Sequence, residues 1–400
     1  MSRVAWFCIP AWGHTNPTVE VVRQLTARGH RVRYYSFAPF REKLEAAGAE
    51  VVCCDPFLPP RPKDLDRKVG RDFAALMEMA ADTTLALEDT VCGDMALFRP
   101  DVIVSDSVCF WGKLFARKLG VPYVCSTTTF AFNQYTARLM KPGPGELLRS
   151  ILGMSRVERK LELLRRHGYP VEKLTDLIQN DNDTDTIVYT SREFQPMAEM
   201  FSERYAFVGP SVAEPTADCV VHHRPLVYIS LGTVMNRRTN FYRTCFAALV
   251  GEDLDVVLSV GEDTDIAALG PIPGNFRVAH RVDQMAVLAR ADVFLTHCGM
   301  NSANEAIWCG VPTVLYPQQS EEGAVAARME ELGLGLRLRR GTPGAVRQAV
   351  RAVLTDGTYR ENVVRMGDTF RAAGGAAAAA DFLETVLGKN ARCSRRGEWA

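Results

Sequence analysis

Short apolar, β-rich runs alternate with stretches of helical spacing through the first 130 or so residues, and the same alternation restarts after residue 225. Val4–Ile9 is the first run, ending in Pro10 and Gly13. A stretch from Thr15 to Arg28 follows, with Val19, Val22 and Leu25 on one helical face and Gly29 as its stop. Strand-like Val32–Phe37 and Glu50–Cys54 flank a helical Arg41–Ala47. After a Pro-rich loop, a longer helix is expected from Asp72 to Leu97, then strands Asp101–Ser105 and Val121–Ser126 around helix Phe110–Leu119. Strand–helix–strand repeated this way folds as right-handed βαβ units, with a parallel sheet covered on both faces.

A chain of 400 residues exceeds what one core organises, so two such α/β domains are expected. The first runs over 1–209, with a helical, one-face-charged insertion at 143–180. The Pro-containing stretch 210–225 is the linker. The second domain spans 226–375, with strands at Leu226–Leu231, Asp255–Val260, Phe276–Ala279, Asp292–Thr296 and Thr313–Tyr316. A C-terminal helix over 376–388 is expected to pack back on the first domain, and 389–400 reads as a frayed tail. Doubly wound sheets bind ligands at the carboxyl ends of their strands, so the expected architecture is two Rossmann-like domains facing across a cleft.

Lys plus Arg and Asp plus Glu both number 47, and this zero net charge argues against the basic footprint of a nucleic-acid binder. The N-terminal apolar run is too short for a signal sequence, and no stretch approaches the roughly 18 apolar residues of a membrane span. Eleven cysteines lie scattered with no C-x-x-C pair, several inside apolar runs, as in a reducing cytoplasm. Either a monomer or a homodimer fits the sequence.

The segment DVFLTHCGMNSANEAIWCGVPTVLYPQQSEE carries the chemistry of the second half. A buried strand delivers His297 to its carboxyl end, Gly299 is expected to make the turn, and Asn301 or Ser302 opens a helix. Free N–H groups at a helix N-terminus, with its positive dipole end, suit a diphosphate. His297, Asn301 and Ser302 can add donors. Glu305, one turn on from Asn301, can accept from a ribose diol. Residue by residue, strand–Gly–Ser–helix is also an ordinary α/β turn; the whole run at this spacing is more specific.

The run resembles the C-terminal signature of the UDP-glycosyltransferase family with the GT-B fold, especially its bacterial macrolide- and flavonoid-glycosylating branch. His297, Cys298, Gly299, Asn301, Ser302, Glu305, Gly310-Val311-Pro312 and Pro317 match the family's H-C/G-G-x-N-S-x-x-E, G-V-P and P-x-x-x-D/E-Q elements. Val282, Asp283 and Gln284 match its uracil-holding element, and Ser230–Thr233 its phosphate-facing S-L-G-T/S turn. The resemblance implies a UDP-sugar as co-substrate, with Glu321 and Glu322 in the pair that holds the sugar hydroxyls. Glu322 departs from the pattern, standing where Gln is usual. A carboxylate only accepts hydrogen bonds whereas an amide also donates, so the nucleotide is better specified than the sugar, for which glucose is the first choice.

Inverting transfer needs a base for the acceptor hydroxyl, and histidine suits it because its pKa lies near operating pH. His14 follows the first strand at the sheet's carboxyl edge. The family's P-x-x-G-H-x-x-P loop matches Pro10, Gly13, His14 and Pro17, which implies His14 as base, and its partner Asp matches Asp106. Alone, His14 also reads as a helix-entry residue and Asp106 as an N-cap. His30, between helix and strand, reads as solvent-facing. Trp12, Phe57, Phe73, Met77, Phe110, Phe130, Phe132 and Tyr135 are candidates for an apolar acceptor wall, as a phenol, flavonoid or macrolide would need, although a Met or aromatic at helical spacing is as readily core. No Asp-x-Asp motif stands at a strand end, and the helix end with polar side chains can stabilise leaving UDP, so no metal is expected. The expected activity is inverting transfer of a hexose from UDP to a lipophilic hydroxyl. C-glycosylation of an aromatic acceptor and non-catalytic nucleotide-sugar binding are the alternatives.

Overall fold

The structure, a computed structural model, describes residues 1–59, 72–133, 144–178, 180–212, 223–232 and 237–395. It divides into two compact units. The first runs to Ser211 and takes up the chain again from Ala373, and the second spans Val212–Ala372.

The first unit is built on seven strands: β1 (Arg3–Phe7), β2 (Arg31–Ser36), β3 (Glu50–Cys53), β4 (Val102–Asp106), β5 (Tyr123–Thr127), β6 (Thr186–Val188) and β7 (Tyr205–Phe207). Their order is β3-β2-β1-β4-β5-β6-β7, every pair parallel. Helices α1 (Trp12–Ala27), α2 (Arg41–Ala46), α3 (Phe73–Phe98), α4 (Phe110–Leu119), α5 (Pro144–Arg166) and α6 (Leu174–Ile178) make the connections. Val4 to Phe7 are all buried, and Trp6 stacks on Tyr34 and Phe7 on Tyr35 across the β1–β2 pair. Unbroken apolar runs of this kind belong to strands covered on both faces. Asp72 caps α3 by accepting from the Ala74 N–H, which is why that helix starts there.

The second unit repeats the plan with β8 (Leu226–Ser230), β9 (Asp255–Ser259), β10 (Phe276–Ala279), β11 (Val293–Thr296), β12 (Thr313–Leu315) and β13 (Gly335–Arg337), ordered β10-β9-β8-β11-β12-β13 and parallel throughout. Its helices are α7 (Thr239–Leu249), α8 (Gln284–Leu288), α9 (Met300–Trp308), α10 (Ser320–Glu331), α11 (Pro343–Thr355) and α12 (Gly357–Ala372). Strand β13 has no counterpart in the sequence reading; three residues, Gly-Leu-Arg, are too few to show a period. The order of each sheet reverses once, between β1 and β4 and between β8 and β11. Phe7 pairs with Ser105 and Ser230 with Thr296, so at each reversal two strands present their carboxyl ends side by side. Ligands bind at such points in open α/β sheets.

The last helix, α13 (Gly375–Arg395), belongs to the first unit and lies against α1. Arg28 pairs with Asp381 at 2.6 Å and with Glu384 at 3.0 Å, and His30 Nε2 bonds Glu384 at 2.9 Å. His30 is therefore covered rather than solvent-facing, its side chain only 9% exposed, because α13 lies over it. The helix also continues past residue 388 to Arg395, where a frayed tail was expected. Lys389–Arg395 contains neither Gly nor Pro, and Ala and Arg sustain helix. No helix among the described residues is long and apolar enough to cross a membrane.

Candidate active site

His14 is the third residue of α1, after Ala11 at the N-cap, so it stands in the first helical turn rather than in a loop. Asp106 ends β4, across the strand reversal. His14 Nδ1 lies 2.8 Å from Asp106 Oδ2, with the carboxylate fully buried and the imidazole side chain 19% exposed. The other carboxylate oxygen, Oδ1, accepts the Val108 N–H at 2.9 Å, which fixes the group as a turn former and as the imidazole's partner together. A carboxylate on Nδ1 sets the tautomer, leaving Nε2 to exchange a proton. Thr128, in the segment after β5, places Oγ1 3.1 Å from the same Nδ1. Nothing local in the sequence marks this threonine, since S-T-T-T-F carries no motif.

The expected acceptor wall divides. Met77 and Phe110 belong to the hydrophobic core of this unit, and Phe130 is buried against Phe194 at 5.4 Å. Met77 and Phe110 lie on the apolar faces of α3 and α4 that cover the sheet, and Phe130 is packed in the segment after β5. Trp12 is half-buried edge-on to Phe40, Phe132 is half-buried, and Phe57 is exposed. Tyr135 and the Phe73 side chain lie outside the described residues.

In the second unit, Ser230 ends β8 and His297 follows β11. The left-handed turn residue is Cys298, at φ 69°, whereas Gly299 is extended at φ −60° and ψ 142°. The expectation that Gly299 makes the turn is thus corrected. Room for the imidazole is what demands glycine: a Cβ on Gly299 would lie 2.6 Å from His297 Nε2, and one on Gly232 only 2.5 Å away. A side chain at φ 69° is itself uncommon, and the Thr296 hydroxyl holds the turn by accepting the Cys298 N–H at 3.1 Å. Burial lowers the His297 pKa to about 4, against an opposing contribution from the Ser230 backbone, so the ring is neutral at neutral pH. Its Nδ1 is sealed from solvent with no hydrogen-bond partner among the described residues.

Gly299 is also the N-cap of α9 and offers no side-chain oxygen, so its side chain cannot take the first-turn N–H groups. Ser302 is buried, and Asn301 and Glu305 are half-buried on this helix. Asp283 caps α8 through the Ala286 N–H. The next residue, Gln284, donates from Nε2 to Glu305 Oε2 at 2.5 Å and to Ser302 Oγ at 3.2 Å. Val282 is half-buried against Leu288 and its neighbours. Thr233 lies outside the described residues.

Residues 243–384 match the family model for the erythromycin biosynthesis protein CIII-like C-terminal domain. The NDP-glycosyltransferase YjiC of Bacillus subtilis is 34% identical over 96% of this chain and 97% of its own length. The demethyllactenocin mycarosyltransferase of Streptomyces fradiae is 32% identical over 97% of this chain and 87% of its own. The chain belongs to the bacterial natural-product glycosyltransferases. The solved glycosyltransferase of kitacinnamycin superposes on this glycosyltransferase with TM-score 0.82 at 28% identity, covering 96% of this chain and 98% of that one. The two parallel-sheet units are accordingly those of the GT-B fold.

The pair expected to hold the donor sugar sits in the first turn of α10 of this glycosyltransferase. Glu321 is exposed. Glu322 is buried, and its Oε2 accepts the N–H groups of Gln318 at 2.6 Å and Gln319 at 3.0 Å, while Gln319 Nε2 reaches Oε1 at 3.3 Å. With Gln319 at the N-cap and Glu322 at N3, this is a capping box. The carboxylate that departs from the family pattern is thus engaged in closing the loop and helix. Burial, first among its causes, pushes its pKa up to about 7.

Proposed function

We propose that this glycosyltransferase moves a hexose, glucose as first choice, from a UDP-sugar to a hydroxyl of a lipophilic small molecule with inversion, using His14 as base. The observation that carries this is the bond from His14 Nδ1 to the buried Asp106. With Nδ1 so engaged, Nε2 takes the acceptor's proton as its oxygen attacks the anomeric carbon. The bond from that carbon to the diphosphate breaks, UDP departs with the electron pair, and Asp106 stabilises the imidazolium.

Donor binding falls to the second unit. The N-terminal turn of α9 and Ser230 would take the diphosphate. His297 would meet it as a neutral ring donating from Nε2, with no net charge to add. Glu305 would accept from the ribose diol and Val282 would lie against the base. Glu321 would meet the sugar. The uncapped helix end stabilises the leaving group, so the reaction is proposed to need no metal.

UDP release from UDP-glucose and a phenolic acceptor, measured in EDTA, tests this reading. Wild type should turn over and His14→Ala should not. Full transfer by His14→Ala would remove the base assignment, and loss of activity in EDTA that returns with Mg²⁺ would remove metal independence. A wild-type protein that binds UDP but releases none with any acceptor would be a nucleotide-sugar-binding protein instead.

A further inference from the structure

Through the second unit runs a hydrogen-bonded chain whose first member is buried and marked by no motif. Tyr228, in the middle of β8, is 1% exposed and stacks on Phe294 with ring centroids 4.6 Å apart and planes 12° from parallel. Its hydroxyl lies 2.9 Å from Gln284 Oε1. The other end of that amide meets Glu305 and Ser302.

The chain has one self-consistent set of directions. A carboxylate only accepts, so at 2.5 Å the nitrogen end of Gln284 must face Glu305. The amide oxygen then faces Tyr228, and the phenol must donate. Burial raises the Tyr228 pKa well above the ordinary range, which keeps that proton in place. The Tyr228 hydroxyl therefore fixes the oxygen end of Gln284, whose nitrogen end meets Ser302 and the Glu305 carboxylate.

We infer that Tyr228 is a positioning residue for the donor: acting through Gln284, it holds Glu305 for the ribose diol and gives the site its preference for a ribonucleoside over a 2′-deoxyribonucleoside diphosphate. This rests on the UDP-sugar reading above. A purely structural Tyr228 would support β8 against Phe294, a contact that phenylalanine reproduces. Removing only the hydroxyl leaves Gln284 Oε1 without its donor, so the amide is held at its nitrogen end alone and places Glu305 less firmly. A ligand whose 2′-hydroxyl depends on that carboxylate should suffer, and one lacking the hydroxyl should suffer less.

The test is calorimetric titration of the full chain with UDP and with 2′-deoxy-UDP. Wild type should prefer UDP. Tyr228→Phe should weaken UDP by about five- to tenfold, the scale of one hydrogen bond, and 2′-deoxy-UDP by less, so that the ratio falls toward one. In turnover, KM for UDP-glucose should rise while kcat stays within about twofold. Gln284→Leu cuts the chain at its next member and should collapse the ratio equally, and adding Tyr228→Phe to it should change nothing further. An unchanged ratio in both variants, equal wild-type affinity for the two nucleotides, or additive effects in the double variant would each overturn the inference. Failure of wild type to bind UDP at all would instead overturn the donor reading on which it stands.

Discussion

The two units use one topology to set a histidine at the strand reversal, and they set it against opposite partners. Between β1 and β4, His14 comes from the helix after one strand and meets the Asp106 carboxylate at the end of the other. Between β8 and β11, His297 comes from the second strand and meets the backbone of Gly232, so close that a Cβ there would overlap the ring. One imidazole has a buried anion to stabilise its charged form. The other has burial and bare glycine, and it stays neutral down to about pH 4. A charge-stabilised ring suits proton transfer, and a neutral one suits a fixed dipole beside a ligand that is already anionic. The fold supplies the position, and the residue opposite decides the chemistry.

Substituting each histidine should separate these roles. His14→Ala is expected to lower kcat by about a thousandfold, within the range of a lost general base, with donor affinity nearly unchanged. Asp106→Asn should come close to it, because an amide donating to Nδ1 forces the proton onto Nε2, the wrong tautomer for accepting another. His297→Ala should instead raise KM for the UDP-sugar by about tenfold and leave kcat within a few-fold. Steady-state kinetics on the three variants checks this, and equal kcat losses for both histidines would dissolve the contrast.

A subtler break lies in the glycines. Gly299→Ala introduces a methyl 2.6 Å from His297 Nε2 at a backbone conformation any residue adopts, so the ring must move but the chain need not. UDP affinity should fall about as far as in His297→Ala, and the two substitutions combined should cost little more than either alone. If Gly299→Ala binds UDP like wild type, the glycine is not there to seat the ring.

Most of the architecture was legible because parallel strands covered on both faces read as unbroken apolar runs, and because His14, Asp106 and the His297–Glu305 run sit in short motifs beside strand ends. Three things were not legible, each for its own reason. Thr128 and Tyr228 act through contacts with residues 114 and 56 positions away, and no local spacing records such a contact. Cys298 takes the left-handed turn although Gly299 is next to it, because the neighbouring imidazole has the stronger need for a missing side chain. Met77, Phe110 and Phe130 look identical in sequence whether they line a pocket or fill a core; only burial distinguishes them.

Glu322 offers an effect on stability, and the sharpest sign. It was the one departure from the family pattern, and the capping box gives it a structural role, yet its carboxylate is buried and titrates at about 7 when folded against 4.5 as its ordinary value. Below pH 4.5 the group is protonated both folded and unfolded and costs nothing. Between 4.5 and 7 the unfolded chain releases the proton first, so its contribution to stability declines as pH rises, by on the order of 3 kcal/mol, and is flat above. Glu322→Gln cannot titrate. The difference in Tm, variant minus wild type, should therefore climb by a few degrees between pH 4.5 and 7.5, whatever its starting value. Taking the difference cancels every other group that titrates in both proteins. Thermal unfolding across that range decides it: parallel curves would mean that the two backbone N–H groups hold the carboxylate ionised as easily as water does, and that its burial in the box is without electrostatic consequence.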